Sequence, residues 1–461
     1  MTQPPKNFAP FVERMQHEGL PDIVVNTFAH YYQQLAKGQT GLIAESDLQP
    51  VEQLPNAEKF PTSLKAAGQA ALPKTLYLKL NGGLGTSMGL EQAKSLLPVK
   101  DGLTFLDIIA RHALATEVRL LLMNSFATRA DSLAVLEKYP ELGGDIPLDF
   151  LQHKVPKINQ ADLSPASWPQ EPDLEWCPPG HGDIYNALVT SGMLDILLKA
   201  GYEYAFISNA DNLGAIIDLA ILGYFASQRI PFMMEVTDRT EADSKGGHLA
   251  QLPGGQLILR EIAQCPEADL GAFQDITRHK YFNTNNLWLH LPQLKERLIA
   301  KNYILGLPMI RNAKTVDPRD KTSPRVYQLE TAMGSAIGVF AGAQAIRVPR
   351  TRFAPVKKTN DLLVLRSDVF TFDDPLYGVV PHPSRAANLP LVELDPTFYG
   401  LIADFEARFP VGSPSLIACE RLTIKGDFKF GRNITIKGNV QLVNESAAPR
   451  PIADETVLED N

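Results

Sequence analysis

The densest chemical signal in the chain is Leu80-Asn-Gly-Gly-Leu-Gly-Thr-Ser-Met-Gly89, followed shortly by Lys94. Four glycines in eight residues let backbone N–H groups approach a ligand without an intervening Cβ. Successive N–H groups of this kind form an anion cradle, and a lysine just beyond adds full positive charge. Phosphate binding is therefore the expected chemistry; a plain tight turn would account for one or two of the glycines. The spacing argues against two other readings. A dinucleotide fingerprint needs its third glycine at position 88, where Met88 stands, so a nicotinamide dehydrogenase is disfavoured. A Walker A loop needs glycine before Lys94-Ser95, where Ala93 stands.

Three further phrases place polar groups among turn residues. In Pro178-Pro-Gly-His-Gly-Asp183 a rigid turn surrounds His181, which can donate to a phosphate or substrate oxygen or serve the structure alone. In Ser208-Asn-Ala-Asp-Asn-Leu-Gly214 the single carboxylate of Asp211 suits Mg²⁺, which takes one or two carboxylates plus phosphate oxygens and water. The competing reading makes Asp211 an N-cap for a helix from Ala215, a task that Asn212 could equally perform. In Tyr281-Phe-Asn-Thr-Asn-Asn-Leu-Trp288 three amides interrupt an apolar strand. Each must be hydrogen-bonded, and donor–acceptor amides match vicinal sugar hydroxyls.

These phrases sit in an α/β pattern that must position them. Asn7 to Lys37 reads as helical, with Phe8, Phe11 and Met15, then Ile23, Phe28 and Tyr32, at helical spacing. Pro50, Pro55 and Pro61 break the stretch that follows. Strands are expected at Thr75–Leu80, Val118–Met123, Leu148–Gln152 and Tyr204–Ser208, and helices at Leu103–Leu114, Ser125–Tyr139 and Asp183–Ala200. Alternation of this kind gives a mainly parallel sheet covered on both faces, with ligands at the carboxyl ends of the strands. The polar phrases fall at those ends. Beyond Leu365 the texture changes. Leu422-Thr-Ile-Lys-Gly-Asp427 recurs as Ile434-Thr-Ile-Lys-Gly-Asn439, 12 residues later, which fits a small β-solenoid or a pair of hairpins. The acidic final residues are expected to be loose. The expected division is a helical segment at 1–50, a catalytic unit at 51–365 and a β-rich unit at 366–461.

Composition narrows the function classes. The chain has 461 residues, 44% hydrophobic and 21% charged, which excludes disorder over most of its length. Lys and Arg total 44 against 52 Asp and Glu, a net charge of −8 without a basic block, so no nucleic-acid or membrane partner is expected. Cys177, Cys265 and Cys419 are too few and too far apart for a disulfide framework or zinc ribbon. With no apolar run of 18 residues and no secretory leader at Met1–Pro10, a cytoplasmic location is expected. Oligomeric state is not readable.

Taken together and in order, the motifs resemble the eukaryotic-type UTP–glucose-1-phosphate uridylyltransferases, or UDP-glucose pyrophosphorylases. The resemblance rests on the four phrases above together with Ala93-Lys-Ser95, Lys245-Gly-Gly247, Gln328-Leu-Glu-Thr-Ala-Met-Gly334 and Phe353-Ala-Pro-Val-Lys357. It implies an α/β fold with a GT-A-like (Rossmann-like) nucleotidyltransferase core, an N-terminal helical segment and a C-terminal left-handed β-helix. It implies UTP and glucose 1-phosphate as substrates, UDP-glucose and pyrophosphate as products, and Mg²⁺ as cofactor. By the same resemblance Leu80, Asn81, Gly82 and Gly83 hold the nucleotide, and Gln152 and Gly180 read the uracil. Lys94 and Lys357 contact the phosphates. His181 and Asn209 touch substrate, Glu261 and Asn285 bind glucosyl hydroxyls, and Asp211 holds the metal. Ala93 stands where many relatives have proline, and Lys358 follows Lys357. A broader UDP-sugar pyrophosphorylase and a non-catalytic sugar-nucleotide-binding paralogue are the remaining alternatives.

The chemistry so implied is attack of the sugar phosphate oxygen on the α-phosphorus of UTP, in line with the departing pyrophosphate. No side-chain nucleophile is needed. The difficulty is repulsion: like unit charges 4 Å apart oppose each other by about 4 kcal/mol at an effective dielectric near 20. Lys94, Lys357 and a cation on Asp211 would offset several such repulsions.

Overall fold

The computed structural model describes residues 8–373, 376–385 and 388–460. Asn7, where the first helical stretch was expected to begin, lies outside them.

A ten-stranded mixed sheet organises the described residues. Its parallel centre runs in the order Tyr204–Asn209, Thr75–Asn81, Arg119–Asn124, Asp149–Leu151. The chain moves outward from the Thr75 strand through two further strands, then returns to pair on the opposite side of the first. The order reverses between Thr75–Asn81 and Tyr204–Asn209, and a crevice opens at the carboxyl ends of such a strand pair. The glycine phrase and Asn209-Ala-Asp211 leave from those two ends. Antiparallel Tyr281–His290 extends the sheet beside Tyr204–Asn209, and Phe232–Asp238 pairs with it in turn.

Residue alternation explains why these segments are strands. Leu76, Leu78, Leu121, Met123, Ala205 and Ile207 face one apolar core. Tyr77, Leu120, Leu122 and Phe206 face another. With a period of two and both faces covered, the strands read as nearly continuous apolar runs. The second core continues through Phe105, Ile109 and Leu363 to Leu416, Leu422 and Val440, so the C-terminal strands pack onto the same apolar mass.

The N-terminal helices Ala9–His17 and Asp22–Ala36 meet through an aromatic knot of Phe8, Phe11, Phe28 and Tyr32, with ring centroids 5.0–5.9 Å apart. The expected helix Asp183–Ala200 is two helices, Ile184–Thr190 and Met193–Lys199, because Gly192 takes φ 74° between them. The expected helix Ser125–Tyr139 is confined to Arg129–Leu136. Neither Asp211 nor Asn212 caps a helix. The helix begins at Leu219, and Asp218 accepts from the N–H groups of Ala220 and Ile221.

The 12-residue repeat does not set the C-terminal stacking. Ser415–Lys425 and Thr435–Val443 pair in parallel, with Leu422 opposite Val440, and Phe428–Phe430 pairs in parallel with Arg450–Ile452. A hairpin would be antiparallel, so the paired-hairpin reading is excluded for these strands. The acidic tail is held rather than loose: Val457–Leu458 pairs with Thr435–Ile436, and Lys437 meets Glu459 at 2.7 Å. Among the described residues no helix is long and apolar enough to cross a membrane.

Candidate active site

The crevice holds two contiguous cavities. One, of about 240 Å³, is lined by Leu80, Asn81, Gly82, Gly83, Lys94 and Gln152. The other, of about 360 Å³, is lined by Glu261, Phe282, Asn283, Asn285, Phe353 and Lys357, among others. His181, Asn209, Asp211 and Asn285 line both and form the junction. All the residues expected at a site except Gly180, which instead accepts from Gln152 beside it, thus line one cleft, drawn from seven separate segments.

The glycine phrase is a loop with two single turns rather than the start of a helix. Lys94 is drawn back across it, its N–H donating to the Gly83 carbonyl at 3.0 Å. Its ammonium pairs with Asp211 at 2.7 Å, both side chains being under one-fifth exposed. The side chain of Asn81 is turned inward, its Nδ2 donating to Asn124 and Ser132. Gln152 bridges the loops, donating through Nε2 to the Gly180 carbonyl at 2.9 Å. Gly180 must be glycine, since at φ 78° a Cβ would lie 2.4 Å from the Thr331 carbonyl oxygen.

At the junction, the N–H of Met333 donates to His181 Nδ1 at 3.0 Å. Burial lowers the pKa of this histidine from 6.5 to about 4, so the ring is neutral near pH 7. With Nδ1 accepting, the proton sits on Nε2, making that atom a neutral donor. Asp211 Oδ2 is engaged by Lys94, while Oδ1 is buried with no hydrogen-bond partner. A buried carboxylate oxygen left unpaired is a vacant acceptor, and a hard cation such as Mg²⁺ fits it. No cluster of three or more metal-ligating side chains occurs among the described residues, so the remaining ligands would be substrate oxygens and water.

The far cavity depends on an irregularity in Tyr281–His290. Opposite Phe232–Asp238 the register slips: Asn286 faces Glu235 but Asn283 faces Val236, leaving Thr284 and Asn285 as extra residues. Asn285 takes φ 59°, a left-handed conformation that asparagine tolerates better than most residues. The bulge carries Asn285 to the cleft. Asn283 braces it, donating through Nδ2 to Asn285 Oδ1 at 3.1 Å and accepting the Asn285 N–H at 3.0 Å. Asn286 turns away into the core and donates to Glu235 at 3.1 Å. Three amides that look alike in sequence therefore have three different tasks.

Glu261 closes this end. Burial raises its carboxyl pKa, opposed by Lys357 and by Asn283. Its carboxylate lies where a Cβ on Gly247 would sit, 2.5 Å from Oε1, which explains the second glycine of Lys245-Gly-Gly247. Lys357 rather than Lys358 lines the cleft, its ammonium 5.9 and 5.8 Å from the ring centroids of Phe282 and Phe353.

Sequence reasoning missed the residues beneath the site. Glu235 and Arg352 form a buried bidentate pair at 2.7 and 2.8 Å. Lys79, wholly buried, donates to Ser208 Oγ at 2.7 Å and to the Ala215 carbonyl at 3.1 Å, tying down both ends of the Asp211 loop. A charged residue within an apolar strand was the available signal, since such a group is buried only with partners.

A family model described as UTP–glucose-1-phosphate uridylyltransferase matches residues 25–437. A probable UTP–glucose-1-phosphate uridylyltransferase of Schizosaccharomyces pombe is 39% identical over 450 residues, covering 95% of this chain and 86% of its own. The UTP–glucose-1-phosphate uridylyltransferase of Solanum tuberosum is 42% identical over 395 residues, covering 84% and 80%. Among solved structures, a variant UDP-glucose pyrophosphorylase of Leishmania major in complex with UDP-glucose superposes with a TM-score of 0.92 at 43% identity, covering 99% of both chains. A Trypanosoma brucei structure described as UDP-glucose phosphorylase gives 0.89 at 42%, covering 99% of this chain and 100% of its own. A cleft whose two halves meet at one carboxylate, in a chain matched over most of its length, places it in a family: the chain belongs to the UTP–glucose-1-phosphate uridylyltransferases.

Proposed function

We propose that this chain converts UTP and glucose 1-phosphate to UDP-glucose and pyrophosphate, reversibly. One observation carries the reading: a glycine-loop cavity with a lysine and an amide-lined cavity with a second lysine are contiguous through His181, Asn209, Asp211 and Asn285. Such a cleft suits a nucleotide at one end, a sugar at the other and the reacting phosphates between.

In this reading the backbone of Leu80–Gly83 faces the nucleotide, and Gln152, with the backbone of Gly180, meets the uracil edge through paired donor and acceptor groups. Asn285, braced by Asn283, and Glu261 take glucosyl hydroxyls. His181 donates from Nε2 and Asn209 adds a further polar group at the junction. Lys94 and Lys357 approach the phosphates from opposite ends. A phosphate oxygen of glucose 1-phosphate forms the new bond to the α-phosphorus as the bond to pyrophosphate breaks, and the two ammonium groups offset the gathering negative charge. Mg²⁺, held by Asp211, would supply further charge neutralisation when bound. A GT-A-like core at 51–365, a helical segment at 1–50 and a left-handed β-helix at 366–461 are supported by the parallel central sheet and the parallel C-terminal stacking. The family membership and the neutral-to-acidic composition support a cytoplasmic location.

The test is a coupled assay of UDP-glucose formation from UTP, glucose 1-phosphate and Mg²⁺, repeated with galactose 1-phosphate. Product with glucose 1-phosphate supports the assignment; none with purified wild type defeats it. Equal rates with both sugars would replace it with a broader UDP-sugar pyrophosphorylase.

A further inference from the structure

Asn212 stands beside Asp211 but takes no part in helix capping, which Asp218 performs. It is 1% exposed, and its side chain is fully employed. Oδ1 accepts the Ala354 N–H at 3.0 Å. Nδ2 donates to the Arg352 carbonyl at 3.1 Å and to Asn286 Oδ1 at 3.2 Å. The Val356 N–H donates in turn to the Asp211 carbonyl at 3.2 Å, so alternate residues of 352–356 are all bound to positions 211 and 212. This short antiparallel bridge, with Asn212 opposite Pro355, ends one residue before Lys357. Behind it, Glu235 receives Asn286, Trp288 and Arg352 at 2.7–3.1 Å, fixing the far side in the sheet.

Among the described residues the Lys357 ammonium makes no hydrogen bond or ion pair; besides the two ring contacts near 6 Å it acts on Glu261 and Asp361 only through longer-range electrostatics. Its backbone N–H donates to Asp361 Oδ2 at 2.7 Å, so its place in the cleft is set chiefly by its backbone. We infer that Asn212 is a positioning residue: it clamps the segment carrying Lys357 to the loop carrying Asp211, so that the two groups reach the reacting phosphates at a fixed separation. This rests on the proposed function, in which both groups serve the transfer. The physical reason is that a buried amide with every donor and acceptor satisfied permits one arrangement of the two backbones, and misplacement by about 1 Å can cost on the order of 10²-fold in rate.

The test has two arms. In the first, UDP-glucose formation is measured for wild type, Asn212→Ala, Lys357→Ala and the double variant. Asn212→Ala is expected to lower kcat roughly 10- to 100-fold with KM for UTP little changed. The double variant is expected to be no slower than Lys357→Ala alone, because the clamp then has nothing to position. Losses that multiply in the double variant would overturn the inference, since a general structural weakening costs the same in either background. In the second arm, hydrogen exchange is followed at the Ala354 and Val356 amides. Faster exchange there in Asn212→Ala, with the Thr75–Asn81 strand unchanged, supports the clamp; unchanged exchange at Ala354 overturns it. This arm reads the clamp even where wild type makes no UDP-glucose, a result that would defeat the functional proposal instead. If Asn212→Ala lacks a cooperative melt, Asn212→Ser is carried through both arms.

Discussion

The two halves of the cleft are built on different principles. The glycine-loop half is made of backbone from neighbouring residues, and its main side chains, Lys94 and Gln152, pack directly on that loop or its partner turn. The amide half is made of side chains delivered by segments from residue 181 to residue 357, aligned by a β-bulge and a buried polar network. Backbone recognition depends on the absence of side-chain atoms. Side-chain recognition depends on correct orientation of chemically interchangeable groups. The first should be sensitive to an added methyl, the second to removal of a single amide.

The largest expected effect applies to the lysine of each half. Lys94→Ala and Lys357→Ala should each lower kcat/KM by on the order of 10²–10³, measured by steady-state kinetics with the melting temperature retained. A near-normal rate in either would remove that lysine from the transfer. Next in size, Asn285→Ala should reduce kcat/KM for glucose 1-phosphate by about 10- to 100-fold, the range for a missing buried hydroxyl partner, and leave the KM for UTP almost untouched. Equal loss for both substrates would mean that the bulge does not separate the halves. Smaller again is Gly83→Ala. An added Cβ at Gly83 meets no protein atom within 4 Å, so melting should not change, whereas the KM for UTP should rise by roughly tenfold as the methyl intrudes on the phosphate cradle. A lowered melting temperature with normal UTP affinity would contradict the contrast.

The smallest effect concerns pH. Burial lowers His112 and His181 to about 4 and His248 to about 2, from 6.5. Below about pH 6.5 the unfolded chain takes up protons that the folded chain refuses, so their contribution is fully present above that pH and stability falls as pH drops towards 4. Melting followed from about pH 7.5 to about 4.5 should show the decline. A flat profile would mean that these rings protonate in place.

Legibility in the sequence followed the same division. The glycine phrase, its lysine and the strands feeding it depend on local signals, and the parallel order follows from alternating elements. The amide phrase was legible only as costly polarity within a strand; nothing local distinguishes Asn285 from Asn286. The C-terminal repeat pointed to stacked strands but not to their register, for a related reason: identical Ile-Lys-Gly phrases 12 residues apart are not opposite each other, because Leu422 stacks on Val440. The tail looked free because its charges are evident in sequence, whereas its pairing with Thr435–Ile436 is not.

By itself, the sequence determined that a strand would end in a glycine-rich turn, that a carboxylate would follow another strand, and that family-specific phrases would supply two lysines. Those properties arise from φ/ψ preferences, alternation and residue chemistry, which act over a few positions. Only the tertiary structure decided that Asn285 faces the cleft while Asn286 joins Glu235 in the core, that Lys94 pairs with Asp211, and that Asn212 holds the arm of Lys357. These are pairings across 50 to 140 residues of chain. They are fixed by register and by the need of each buried polar atom for a partner, which no local pattern specifies.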